Sequence, residues 1–187
     1  MTTHAALAGA VKRANRWSAD EALEELYAAH WRQLVRLAVL LVRDVGTAEE
    51  VVQDAFLAMH GRWGRLEDNG KALAYLRQAV VNRSRSVLRH RGVVDRHLRA
   101  SAGLAPETAP SSDAHAFDTD RRVAVLDALG QLPDRQREVL VLRHYLDLSE
   151  AEIAAALGIA RGSVKSHASR GSASLRELLG ELWRDES

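Results

Sequence analysis

The residues of this sequence that could do chemistry are mostly cations. Between positions 71 and 99, Lys71, Arg77, Arg83, Arg85, Arg89, Arg91, Arg96 and Arg99 face a single acid, Asp95. Such clustering is the electrostatic footprint of a polyanion-binding surface, and its plainer alternative is a solvated helix face. A second row runs Arg161-Gly162-Ser163-Val164-Lys165-Ser166-His167-Ala168-Ser169-Arg170, with no carboxylate before Glu177. Carboxylates gather instead at Glu49, Glu50 and Asp54, without a histidine or second acidic cluster to complete an acid–base pair or a metal site. The eight histidines show no H-x-x-x-H spacing. The reading is therefore no enzyme, no metal, no cofactor and no small-molecule substrate. Zero cysteines exclude disulfides, thiolate metal sites and a thiol nucleophile.

These side chains need elements to position them. The 187 residues carry 26 Lys plus Arg against 25 Asp plus Glu, with 47% hydrophobic positions, the composition of a globular protein able to bury a core. Leu23, Tyr27, His30, Leu34, Leu37 and Leu41 recur at steps of three and four, predicting an amphipathic helix from about Asp20 to Arg43 behind a Ser18/Glu21 capping box. A Thr47/Glu50 box predicts a second helix, with Val51, Val52, Ala55, Phe56 and Met59 inward and an end near Gly61. A polar loop, Gly64 to Gly70, precedes a third, in which Leu73, Leu76, Val80 and Val87 leave most of the basic cluster outside. Trp63, ahead of it, reads more readily as core than as a base-stacking platform. The apolar run Leu37–Val42 is far below the roughly 18 residues that span a bilayer, and residues 1–17 contain no signal-peptide core. Cytoplasmic residence without membrane insertion is expected.

Periodicity fades from Gly92 to Thr119, where Pro106, Pro110 and Ser111-Ser112-Asp113 mark a flexible linker. As free coil, its roughly 28 residues would span about 30 Å. Helical spacing resumes with Leu126, Leu129 and Leu132, and continues after Pro133 with Val139, Leu140, Leu142 and Leu146. In Leu148-Ser149-Glu150-Ala151-Glu152-Ile153-Ala154, a Ser149/Glu152 capping box opens a short helix that Gly158 ends. Another helix follows from about Arg161 to Leu182. Helix, glycine turn and helix, with small Ala154 at the crossing, form a helix-turn-helix, whose second helix suits the DNA major groove. Val164 is its inward anchor. Arg161, Ser163, Lys165, Ser166, His167, Ser169 and Arg170 are the candidate contacts. The expected fold is all-α: two small helical domains, 20–91 and 120–187, joined by the linker 92–119 and preceded by an N-terminal extension, 1–19.

From about Asp20 to Leu179 the chain resembles a bacterial sigma factor of the extracytoplasmic-function (ECF, group 4) class within the sigma-70 family. Ala48-Glu49-Glu50-Val51-Val52-Gln53-Asp54-Ala55-Phe56 is similar to that family's region 2.2. Ala74-Tyr75-Leu76-Arg77-Gln78-Ala79-Val80-Val81-Asn82-Arg83 resembles its reader of the −10 promoter element. Leu132-Pro133-Asp134-Arg135-Gln136-Arg137-Glu138-Val139, with the helix-turn-helix, resembles region 4, which reads the −35 element. The resemblance implies a transcription initiation factor that binds core RNA polymerase through the β′ clamp helices and the β flap, directs it to promoter DNA, aids melting, and joins the nucleoid when active. Glu49, Glu50, Gln53 and Asp54 would dock on the clamp. Trp63, Asn69, Arg77, Asn82, Arg83, Arg85 and Arg89 would handle the −10 element, Asn82 and the Gly64–Gly70 loop capturing a flipped base and the arginines holding phosphates. An anti-sigma factor is an implied regulator. Glu50 stands where Asp is common in the family, Leu66-Glu67-Asp68-Asn69 departs from its usual loop, and Ala160, His167 and Ser169 depart from its usual recognition helix.

Two other readings stand beside this one. A dimeric helix-turn-helix regulator would use residues 20 to 91 for dimerisation or ligand sensing, and it leaves the basic helix unexplained. A nucleic-acid enzyme with a targeting module would need the catalytic cluster that the sequence lacks.

Overall fold

A computed structural model describes residues 19–66, 68–101 and 116–182, with the side chains of 19, 69, 93–101, 116–121, 181 and 182 outside the described set. Its elements are α1 (Ala19–Val42), α2 (Val45–His60), short 3-10 turns at Trp63–Arg65 and Asn69–Lys71, α3 (Ala72–Ser101), α4 (Ala116–Gln131), α5 (Asp134–His144), α6 (Glu150–Leu157) and α7 (Arg161–Leu182). No strand occurs among the described residues. The all-α expectation holds.

α1, α2 and α3 pack pairwise into a first unit, and α4 to α7 pack around α7 as a second. Leu34, Leu37, Val52, Met59, Leu76 and Val80 fill the first core, while Leu142, Ile153, Val139 and Val164 fill the second. The three- and four-residue spacing of these positions places them on one stripe of each helix, so burying the stripe fixes how each helix is rotated.

Two boundaries differ from the sequence expectation. α2 begins at Val45, before Thr47, because Asp44 is the cap: its side chain accepts from the Thr47 backbone N–H at 2.8 Å and from the Thr47 hydroxyl. Thr47 sits inside the first turn instead of opening it. The Asp44 carboxyl is held below its ordinary pKa by these two bonds, with Arg91 adding attraction. At the other boundary, α3 continues past Gly92 to Ser101 and α4 starts at Ala116. A lone glycine costs a helix only about 1 kcal/mol, and no proline follows until Pro106. The expected linker thus overlaps two helices, and its middle, 102–115, lies outside the described residues, as does the Ser18 end of the first capping box.

The units do not stand apart. Their buried side chains form one continuous cluster, with α3 against α6 and α1 against α4 and α5. The Tyr145 hydroxyl donates to the Gln33 carbonyl at 3.2 Å across this boundary. Within the second unit, buried Arg137 ties the end of α4 to the start of α5: its guanidinium donates to the Gly130 and Leu132 carbonyls and pairs with Asp134 at 2.6 Å.

Candidate nucleic-acid interface

The helix-turn-helix is built as its sequence requires. Ser149 caps α6, accepting from the Glu152 backbone N–H while the Glu152 carboxylate accepts from the Ser149 N–H at 2.8 Å, so both halves of the box are present. The Glu152 carboxyl is lowered by its bonds to the Ser149 hydroxyl and backbone, with Arg77 of the other unit adding attraction. Gly158 closes α6 at φ 64°, a left-handed conformation that glycine adopts without Cβ strain. Val164 is fully buried and Ala154 is buried on α6, leaving Arg161, Lys165, Ser166, Ser169 and Arg170 exposed in a row on α7. Ser163 and His167 are half-buried, and the His167 Nδ1 points inward, so these two are lesser candidates than their spacing suggested. Lys165 Nζ lies 3.9 Å from Glu150, which also pairs with Arg143 at 2.9 Å. Glu150 therefore stiffens the frame under the recognition row.

On α3 the predicted −10 residues share one helix but not one state. Asn82 and Arg89 are exposed, and Arg77 is half-buried. Arg83 donates to the Asp54 carbonyl of α2 at 2.9 Å. Arg85 reaches across to Glu138 of α5, and one of its nitrogens donates to the Asn82 side-chain oxygen at 3.3 Å. Trp63 is only 9% exposed and belongs to the core cluster, so its ring packs and offers no face to a base. The side chain of Asn69 lies outside the described residues. A polar hollow of about 550 Å³ between α2 and α3 is lined in part by Asp54, Arg62, Tyr75, Asn82, Arg83 and Ser86. Arg62 donates to the Tyr75 hydroxyl at 2.9 Å there. Neither Arg62 nor Tyr75 was singled out from the sequence, because the hollow forms only when α2 and α3 pair.

Glu49, Glu50, Gln53 and Asp54 are all exposed on α2. Gln53 also borders an open groove of about 570 Å³ between α1 and α2, lined by Leu23, Glu24, Tyr27, Phe56, Leu57 and His60. Tyr27 stacks on Trp31 with ring centroids 4.6 Å apart and meets Phe56 edge-on at 5.3 Å. Leu57 is 71% exposed and Tyr27 45%. An apolar floor with polar edges suits a protein partner. Phe56 is buried as its spacing predicts, whereas Tyr27, counted with the apolar stripe of α1, is exposed and lines the groove. Among the described residues, no group of acids and histidines able to hold a metal occurs and no helix is long and apolar enough to cross a membrane.

An all-α pair of units, one with a basic helix and one with a helix-turn-helix, suits a nucleic-acid-binding protein, and comparison with known proteins narrows the class. Residues 26–93 match the Sigma-70 region 2 family and residues 122–175 match Sigma-70, region 4. The chain is 35% identical over 167 residues to RNA polymerase sigma factor CarQ of Myxococcus xanthus, covering 89% of this chain and 94% of that one. It is 34% identical over 166 residues to ECF RNA polymerase sigma factor SigM of Mycobacterium tuberculosis, covering 86% and 79% respectively. Its fold is similar to the sigma factor RpoE of Bartonella quintana, solved in complex with the anti-sigma factor NepR, at TM-score 0.69 and 27% identity over 84% of this chain and 96% of that one. The chain belongs to the sigma-70 family, in its ECF class. It is a promoter-specific transcription initiation factor that works with RNA polymerase.

Proposed function

We propose a division of labour within that role, for a factor of the ECF group 4 kind. Residues 20–91 dock on core polymerase and open the −10 element, and residues 120–187 read the −35 duplex, with 1–19 an extension and 92–119 a connection. The observation that carries this is the exposed cationic row Arg161, Lys165 and Arg170 on α7, which follows the Ser149-capped α6 across the Gly158 turn. Such a helix places its N-terminal residues at base edges and its flanking cations on phosphate. On α3, Arg77, Asn82, Arg83, Arg85 and Arg89 supply amide and guanidinium groups for a separated strand, and the polar hollow beside Asn82 is large enough to receive an unstacked base. Melting then needs no covalent step. Each unit binds the form of DNA it prefers, and the polymerase holds the two at fixed distance.

The docking surface combines the acidic edge of α2, Glu49, Glu50, Gln53 and Asp54, with the groove at Tyr27, Phe56 and Leu57, meeting the β′ clamp helices. The second unit would meet the β flap. An anti-sigma factor is a further partner in this reading, supported by the likeness to a sigma factor solved with one. Such a regulator would compete for the same groove, so Leu57→Asp should lose both partners in pull-down assays.

In vitro transcription of fragmented genomic DNA, with core polymerase and with or without this protein, tests the assignment. Start sites that appear only on its addition, sharing two motifs at fixed spacing, are expected. Binding of the free protein to a palindrome, without any effect on start sites, would replace this reading with the dimeric regulator.

A further inference from the structure

The cations of the exposed row on α7 are not all in the same state. Arg161 and Arg170 stand in solvent with no acid paired to them among the described residues. Lys165 has a partner, for its Nζ lies 3.9 Å from Glu150 Oε2. Glu150 opens α6, one position after the Ser149 cap, so the acid comes from the first helix of the helix-turn-helix and the cation from the second. The Glu150 side chain is 25% exposed and that of Lys165 72%. The other carboxylate oxygen, Oε1, accepts from Arg143 Nη2 at 2.9 Å, which ties Glu150 to the end of α5. These two contacts differ in kind. The Arg143 bond is a charge-assisted hydrogen bond that fixes the carboxylate in place. The Lys165 contact is an ion pair too long for a hydrogen bond, between an anchored acid and the tip of a flexible stem. Capping does not require Glu150, since Ser149 and Glu152 make both halves of the box. A carboxylate thus stands beside a cationic row that phosphate must approach, where its charge opposes binding.

We propose that Glu150 is a specificity-determining residue of the −35 surface, holding Lys165 back from the phosphates of arbitrary DNA and releasing it to the cognate element. The proposal rests on the assignment of α7 to the −35 duplex. On arbitrary sequence the helix is loosely seated, and a passing phosphate must compete with an anion that is already in place and needs no further ordering. Lys165 then stays with Glu150, and the pair contributes little to binding. On the cognate element Arg161, Ser166 and Arg170 seat the helix in the groove, so that Lys165 meets a phosphate held at a fixed distance. One anion replaces another on Lys165, while Glu150 keeps Arg143 as its counter-charge, so the exchange strands no charge. Discrimination comes from what Glu150 takes away from the wrong complex more than from what it adds to the right one.

The test uses the full chain and two duplexes. One carries the −35 motif shared by the start sites of the transcription assay, and the other has the same bases in scrambled order. Affinity for each is followed by fluorescence anisotropy from about 50 to 300 mM salt. Glu150→Gln keeps the shape and an acceptor for Arg143 and removes the charge. It should raise affinity for the scrambled duplex about 3- to 10-fold and steepen its salt slope by about 1, because Lys165 is then free to neutralise a phosphate. Affinity for the −35 duplex should rise no more than about 2-fold, with its slope unchanged. A carboxylate that served only the start of α6 or the Arg143 bond would lower the thermal midpoint and change both affinities by the same factor, with both slopes unchanged. That result overturns the proposal. Lys165→Ala decides independently, and alone if circular dichroism shows that Glu150→Gln has lost its fold. It should lower the slope on the −35 duplex by about 1 and leave the scrambled slope as it was. An equal fall on both duplexes means that Lys165 was never held back, and overturns the proposal as well. If the original chain binds both duplexes equally, the −35 assignment fails and the proposal falls with it. Discrimination that survives Glu150→Gln undiminished overturns the proposal and leaves that assignment standing.

Discussion

Three variants separate the surfaces proposed for this factor. Lys165 and Arg170 stand exposed on α7, so replacing both by alanine should leave folding within about 0.5 kcal/mol of the original. If each neutralises one phosphate, the salt slope of −35 duplex binding should fall by roughly 2, with core polymerase affinity unchanged. Asn82→Ala removes an amide that is exposed and held only by Arg85 among the bonds described. It should slow open-complex formation, read with permanganate footprints, by about tenfold, while polymerase binding persists. Leu57→Asp should do the reverse. It places a charge on the apolar floor of the groove and should cut polymerase affinity at least about tenfold without lowering the thermal midpoint. Equal loss of polymerase binding in all three variants would contradict the separation of surfaces.

At the scale of the element, the recognition helix depends on a helix it does not belong to. α6 is only eight residues long, and helices that short form in water only with strong end signals. Ser149→Ala removes one half of the capping box and should cost about 1 kcal/mol, lowering the thermal midpoint by roughly 2–4 °C. Gly158→Ala forces a Cβ into the left-handed turn, at about 1–2 kcal/mol. The same box sets a pH dependence. Because the Glu152 carboxyl is lowered in the folded chain, its contribution is complete above the ordinary carboxylate range and disappears as pH falls through the lowered value. In Ser149→Ala the Glu152 carboxyl should titrate closer to its ordinary pKa, which carboxyl-detected NMR can read. An unchanged titration would mean that the hydroxyl does not hold it.

For the whole molecule, the closed arrangement joins features that sequence distance keeps apart. Arg85 and Glu138 are separated by 53 positions, and Gln33 and Tyr145 by 112. Each pair draws a charged or polar group of one unit into the boundary with the other, so the units cannot part without rehydrating both.

The sequence by itself determined the helices, the Ser149 box, the Gly158 turn, the buried role of Val164 and the cationic row of α7. All of these follow from spacing within a few turns of one chain segment, where apolar periodicity and capping chemistry act locally. It also kept the carboxylates Glu49 and Asp54 outside, since a core cannot hold unpaired charges cheaply. Tertiary packing decided the rest. Arg83 and Arg85 left the row of free cations for the Asp54 carbonyl and Glu138, and Tyr27, read with the apolar stripe of α1, came to line a groove beside buried Phe56. Where a long arginine ends depends on which acid or carbonyl a neighbouring helix brings within reach, and local spacing carries no record of that neighbour.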